Sequence, residues 1–181
     1  GCYGDGGALF TDSDALAQAA REIRIHGQSA RYRHTRVGVG GRLDTLQAAV
    51  LLAKLPRFTW ELEHRRTLGV RYAQRLQGVA GLRTLAVRAD RDCVWGQYTV
   101  FIESDRDAVQ AALKRAGIPT AVHYPLPLHH QPAYAALCCP ECCPASVAAA
   151  QQVLSLPMSA DLTEADQDRV VDALRQATAS A

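Results

Sequence analysis

Three groups of residues are of types that do chemistry. The first is the stretch 26–47, HGQSARYRHTRVGVGGRLDTLQ, with Arg31, Arg33, Arg36 and Arg42, His26 and His34, Tyr32, and Gly27, Gly38, Gly40 and Gly41. A guanidinium fork matches a carboxylate or phosphate two bonds at a time, and glycines let a backbone turn sharply or approach a ligand closely. The stretch has no sustained apolar period, so it reads as a long polar loop, either functional or simply solvated. Arg42 stands just before a helix start, where unpaired N–H groups and the helix dipole favour anions. It either holds a carboxylate or phosphate there or bonds a nearby acid such as Asp44.

The second group is His123-Tyr124-Pro125. A histidine donates or shuttles protons near neutral pH. Neighbours at a strand end point to opposite faces unless the prolines turn the chain, so one or both could reach a cleft. The other reading is a histidine satisfied by core or backbone bonds. His129 and His130 sit in a proline-flanked loop and read as solvated.

The third group is Cys138-Cys139-Pro140-Glu141-Cys142-Cys143. Zinc sites use CxxC pairs, but normally two of them well apart in sequence. Four thiols in one short loop read better as a surface loop with reduced thiols, and no metal is expected.

The elements that must position these residues follow from periodicity and caps. Residues 1–12 are Gly-rich and then apolar, and Ala8, Leu9 and Phe10 suggest a short buried strand. Asp12 or Ser13 can cap a helix over 14–25, with Leu16, Ala19, Ala20 and Ile23 on one stripe and Gly27 ending it. A second helix starts near Asp44, with Gln47 in the capping-box position. Pro56 either kinks it or opens a new helix, which continues over 57–76 as a long bent connector. Gly78 and Gly81 break the chain. Strands are expected over 82–87, 94–103 and 120–124, and helices over 107–116, 147–154 and 164–177, the last capped by Thr163 with Asp166 in the box position. This alternation predicts a small α/β layer domain.

Composition excludes several classes. The chain has 181 residues, 48% hydrophobic and 21% charged, with net charge +2, which suits a globular protein without a strong pull toward nucleic acid. It has no run of eighteen apolar residues, so no membrane span is expected. Six cysteines, four of them crowded into six residues, do not resemble a secreted disulfide scaffold, which points to a reducing cytoplasm. The sequence starts with Gly and is read as a piece of a longer chain.

The segments GCYGDGGALFTD, HGQSARYRHTRVGVGGRLDTLQAAVLLAKL, QYTVF, GIPTAVHYPLPLHHQPAY and LSLPM, in this order, resemble the C-terminal half of a sugar aminotransferase of the DegT/DnrJ/EryC1/StrS family. In wording they resemble most the enzymes that aminate a UDP-linked 3-oxo-glucuronate derivative. The resemblance implies an α/β, aspartate-aminotransferase-like fold (pyridoxal-phosphate fold type I). Residues 1–55 would end the large cofactor-binding domain with its active-site loop, and 56–181 would form the connector helix and small C-terminal α/β domain. It further implies a cytoplasmic homodimer with shared sites, pyridoxal 5'-phosphate as cofactor, and transamination of a nucleotide-linked keto sugar to an amino sugar. Glutamate would be the donor, returned as 2-oxoglutarate, in surface-polysaccharide or amino-sugar biosynthesis.

By the same resemblance the cofactor lysine lies just upstream of Gly1. Neither Lys54 nor Lys114 matches it, so this chain alone is expected to be inactive. The loop around 38–42 would reach the neighbouring subunit's site. Gly40 stands where the family usually has an Asn touching the cofactor phosphate, so its backbone N–H would take that place. Arg42 matches an arginine that holds a substrate carboxylate, and His123 and Tyr124 match a pair lining the substrate pocket. The alternatives are a sugar dehydratase of the same family, in which His replaces the lysine, and a non-catalytic regulatory or binding protein with a nucleic-acid-facing arginine loop.

Overall fold

The computed structural model describes residues 3–180. Gly1, Cys2 and Ala181 lie outside the described residues, and so does the expectation attached to Gly1. Two compact units share the chain, 1–58 and 59–181.

The first unit holds helix α1 (Asp14–Ile23), a short antiparallel hairpin of β1 (Gln28–Ala30) and β2 (Arg33–His34), and helix α2 (Thr45–Lys54). The strand expected at 8–10 is absent: Leu9 and Phe10 are 61% and 91% exposed. A strand needs a partner for its N–H and C=O groups, and no described segment pairs with these residues. Ser13 caps α1 by accepting from the Leu16 N–H at 3.3 Å. The helix stops at Ile23, two residues short of expectation, and its apolar stripe is only partly covered, with Leu16 and Ile23 exposed. The buried member of α1 is instead a carboxylate, Glu22. In α2 the Asp44 N–H donates to Gln47 Oε1 at 3.4 Å, the expected box contact. Pro56 sits in a 3-10 turn, Leu55–Arg57, and α3 (Phe58–Leu76) follows it.

The second unit carries the hydrophobic core. Strands β3 (Leu82–Thr84), β4 (Tyr98–Ile102) and β5 (Val153–Leu156) form one antiparallel sheet in the order β3-β4-β5. Helices α3, α4 (Arg106–Arg115), α5 (Pro144–Gln152) and α6 (Glu164–Ala179) complete the unit. On β4 the residues Tyr98, Val100 and Ile102 are buried, while Thr99 and Phe101 face the other side of the pleat. Tyr72, Leu76, Val109, Leu113, Val170, Val171 and Leu174 pack against the buried row. Tyr98 stacks between Trp95 and Tyr72, with ring centroids 4.6 and 4.7 Å away. Burial pushes its phenol up to about 12. Gln167, fully buried on α6, donates to the Leu68 carbonyl at 2.8 Å and so ties α6 to α3. Beside it Arg71 donates both to Gln167 Oε1 and to the Asp168 carboxylate.

Four further expectations need correction. The strand expected at 82–87 stops at Thr84. The one at 94–103 covers only Tyr98–Ile102, because Trp95, at φ 48°, takes the chain ahead of it out of extended conformation. The strand expected at 120–124 is a single bridge, Ala121 to Ser155. The helix expected over 147–154 runs from Pro144 to Gln152, and Val153 and Leu154 belong to β5, all four residues of which are buried. Tertiary pairing overrides the helical reading there: β5 lies between β4 and Ala121, with ladder bonds on both sides.

Candidate functional site

In the first unit the polar loop is organised by Glu22. Its carboxylate accepts from Gln18 Nε2 at 2.8 Å, Arg36 Nε at 2.9 Å and Thr35 Oγ1 at 3.2 Å. The Gln18 bond and then the Arg36 bond hold the carboxyl below its usual range. Arg36 is therefore committed to holding the loop. His34 Nδ1 meets the His26 carbonyl at 2.9 Å, and Arg31 lies over the Tyr32 ring, 5.0 Å from its centroid. Gly27 has a left-handed backbone, φ 75°, and a side chain on it would collide with the Arg36 carbonyl; one on Gly38 would collide with Gly27. The loop closes through glycine-to-backbone contact that no other residue permits.

This closure delivers Gly40 and Arg42. The His26 N–H donates to Val39 O at 3.0 Å and the Gly41 N–H to Arg24 O at 2.8 Å. Gly40 lies between them, bridged to Ile25 as a pair whose own N–H and C=O point away from each other. Among the described residues the Gly40 N–H donates to no backbone group and Arg42 enters no ion pair; the expected alternative, a bond to Asp44, does not form. Both are exposed, immediately ahead of the α2 N-terminus. This donor set, an unengaged N–H, a guanidinium and a helix start, fits an anionic group such as a cofactor phosphate or a substrate carboxylate.

In the second unit, His123 and Tyr124 lie just past the Ala121 bridge. Ala121 exchanges both backbone bonds with Ser155, at 3.1 and 2.7 Å, and Ser155 is paired in register with Thr99. Thr99, Ser155 and Ala121 thus lie in a row across the sheet, and His123, two residues beyond Ala121, returns to the same face. His123 Nδ1 is 3.0 Å from Ser155 Oγ, and Ser155 Oγ is 2.9 Å from Thr99 Oγ1. The His123 and Tyr124 rings meet edge-on at 5.5 Å across a cis peptide bond. His123 and Ser155 line a shallow cleft of about 290 Å³ with Gln97, Thr120, Leu156 and Met158, whereas Tyr124 is 70% exposed outside it. Sequence reasoning missed Ser155 and Thr99. The signal that could have found them is the run VLSLP, a short apolar segment with a β-branched start, stopped by proline.

The cysteine loop differs from expectation. Cys139 and Cys142 are joined in a disulfide, their Cα atoms 5.4 Å apart as such a bridge requires, while Cys138 and Cys143 are free and exposed. The reading as four reduced thiols is corrected: the three-residue separation inside a tight turn brings one pair within bonding reach. Among the described residues no group of three metal-ligating side chains comes together.

A three-stranded antiparallel sheet covered by helices, together with a unit of two helices around a glycine-closed arginine loop, is the architecture of part of an aspartate-aminotransferase-like protein, pyridoxal-phosphate fold type I. S. venezuelae DesV has it with a TM-score of 0.93 and 38% identity, over 98% of this chain and 48% of that one. The chain belongs to the DegT/DnrJ/EryC1/StrS aminotransferase family, which matches residues 2–175. It is 51% identical over 158 residues to a Pseudomonas aeruginosa UDP-2-acetamido-2-deoxy-3-oxo-D-glucuronate aminotransferase, covering 87% of this chain and 43% of the relative. It is 40% identical to a Geobacillus stearothermophilus protein named as a pleiotropic regulatory protein, over 97% of this chain and 48% of the relative. The chain thus spans about half the length of the curated relatives it matches. No helix among the described residues is long and apolar enough to cross a membrane.

Proposed function

We propose that this chain is part of a transaminase that converts a nucleotide-linked keto sugar to an amino sugar, with glutamate as amino donor and pyridoxal 5'-phosphate as cofactor. The observation that carries the reading is the 51% identity to the P. aeruginosa aminotransferase, whose name specifies a UDP-linked 3-oxo-glucuronate sugar. In this reading 1–55 end the large domain and 56–181 form the small one, and two copies share their sites in the cytoplasm. In this reading neither Lys54, on α2, nor Lys114, on α4, is the lysine that binds the cofactor.

The residues of this chain have separate tasks. The Gly40 N–H and the α2 N-terminus would hold the cofactor phosphate. Arg42 binds a carboxylate, that of the uronate sugar or of glutamate, by two charge-assisted bonds. His123, with Nδ1 engaged by Ser155, offers Nε2 to the substrate, and Tyr124 supplies a ring and a hydroxyl at the pocket edge. When bound, pyridoxal phosphate supplies the aldehyde that carries nitrogen from donor to acceptor and the ring that takes up electrons.

The test is an assay of the full-length protein with pyridoxal phosphate, glutamate and a UDP-linked 3-oxo uronate sugar. Glutamate-dependent release of 2-oxoglutarate with formation of the amino sugar is expected. Loss of water from the sugar without amino transfer would replace this reading by the dehydratase. A second reading, a regulatory protein, is favoured by the name of the Geobacillus relative. Salt-sensitive retention on DNA by a full-length protein inactive in both assays would establish it.

A further inference from the structure

We propose that the Cys139–Cys142 bridge is an exchangeable redox site that reacts with low-molecular-weight thiols, apart from the aminotransfer chemistry. The bridge is not needed to hold the fold. It closes a turn of three-residue separation that the Cys142 N–H to Cys139 O bond, at 3.2 Å, already closes. A bridge across so short a loop restrains the unfolded chain little. The loop is also held without sulfur, since His130 Nε2 bonds the Pro140 carbonyl at 2.8 Å. The core of the second unit is formed by residues outside the loop. Unlike the small secreted domains that depend on such bridges, this unit has ample apolar packing of its own.

What the loop does have is access. Cys139 is exposed, Cys142 is half-buried, and the free thiols of Cys138 and Cys143 flank them on the surface. Exposed bridges are the labile ones, and exchange needs a thiolate to reach one sulfur in line with the other. An incoming thiolate attacks Cys139 Sγ. The bond to Cys142 Sγ breaks, Cys142 leaves as a thiolate and takes a proton, and a mixed disulfide remains on Cys139. A second thiolate attacks the outer sulfur of that mixed disulfide. It forms the small-molecule disulfide and releases Cys139 as a thiolate, which takes a proton. Two electrons pass from two small thiols to the bridge, and the reverse sequence re-forms it.

The test uses the full-length protein equilibrated under native conditions in glutathione buffers of stepped reduced-to-oxidised ratio, quenched with N-ethylmaleimide and read by mass spectrometry of the loop peptide. Counting maleimide and glutathione adducts together, since the exposed Cys138 and Cys143 thiols also exchange with oxidised glutathione, the peptide should carry two in oxidising buffer and four in reducing buffer, with a midpoint inside the glutathione range. The Cys139→Ser, Cys142→Ser double variant should stay at two throughout. Thermal midpoints of the oxidised and reduced protein should agree within a few degrees. Two adducts persisting in excess dithiothreitol, four adducts in the most oxidising buffer, or one retained zinc per chain in the four-thiol form would each overturn the proposal. A large fall in thermal midpoint on reduction would do the same, by making the bridge a structural staple.

Discussion

Ser155 Oγ lies 3.0 Å from Nδ1 of His123 and 2.9 Å from the hydroxyl of Thr99, so one buried serine joins the edge histidine to the central strand. A ring held at one nitrogen keeps its tautomer and its aim. Ser155→Ala should cost about 1 kcal/mol of stability, the usual worth of such a bond. In the full-length enzyme it should lower kcat/KM by about tenfold. Ser155→Thr, which keeps the hydroxyl, should recover most of the activity. Unchanged kinetics in Ser155→Ala would show that the ring is aimed by something else.

On the proposed reading Arg42 binds a carboxylate; the Glu22 carboxylate is answered by Arg36, not by Arg42. Arg42→Gln should raise KM for the carboxylate-bearing substrate by about 10- to 100-fold, the loss expected for a charge-assisted pair, with little change in thermal midpoint. Assaying keto sugars with and without the uronate carboxylate then tells which substrate Arg42 holds. If it is the sugar, the variant's defect should vanish with the neutral one.

Gly69 on α3 is buried beside Trp95, and a side chain placed there would collide with the indole. Trp95 in turn stacks on Tyr98, in the middle of the core. Gly69→Val should therefore destabilise the protein by about 1–3 kcal/mol and alter tryptophan fluorescence. An equal loss on placing Gly69→Val in a Trp95→Ala background would point to a cause other than contact with the indole.

Asp168 bonds Arg71 and Arg75 across α6 and α3. The Arg71 hydrogen bond, the leading cause, holds its carboxyl below the usual range. A depressed folded-state value stabilises above the ordinary carboxylate pKa, and the benefit disappears as pH falls through the depressed value. The thermal midpoint of the wild type should thus exceed that of Asp168→Asn at neutral pH, and the two should converge below about pH 4. A constant gap across that range would rule out the ionised pair as its source.

Much of this was legible locally. Ser13, Asp44 and Thr163 marked helix starts because a cap is a bond to an N–H two or three residues away. Gly78 and Gly81 marked breaks because each has the left-handed backbone that glycine tolerates. The arginine loop was visible as composition, and the resemblance named the family. What escaped were relations set by distant partners. Glu22 lies on the polar side of α1 and gave no sign that it would be buried by Thr35 and Arg36, 13 and 14 residues on. Val153 and Leu154 continue a helical run in sequence and became a strand only because β4 and Ala121 offered ladder bonds on both sides. That pairing set Ser155 beneath His123, 32 residues back, and beside Thr99, 56 back. Periodicity and caps are written within a turn or two of chain, so the sequence by itself located the helices and most of their starts, though not where α1 and α5 end. Register across a sheet is chosen by which distant strands meet, so only the tertiary structure decided which residues hold the histidine.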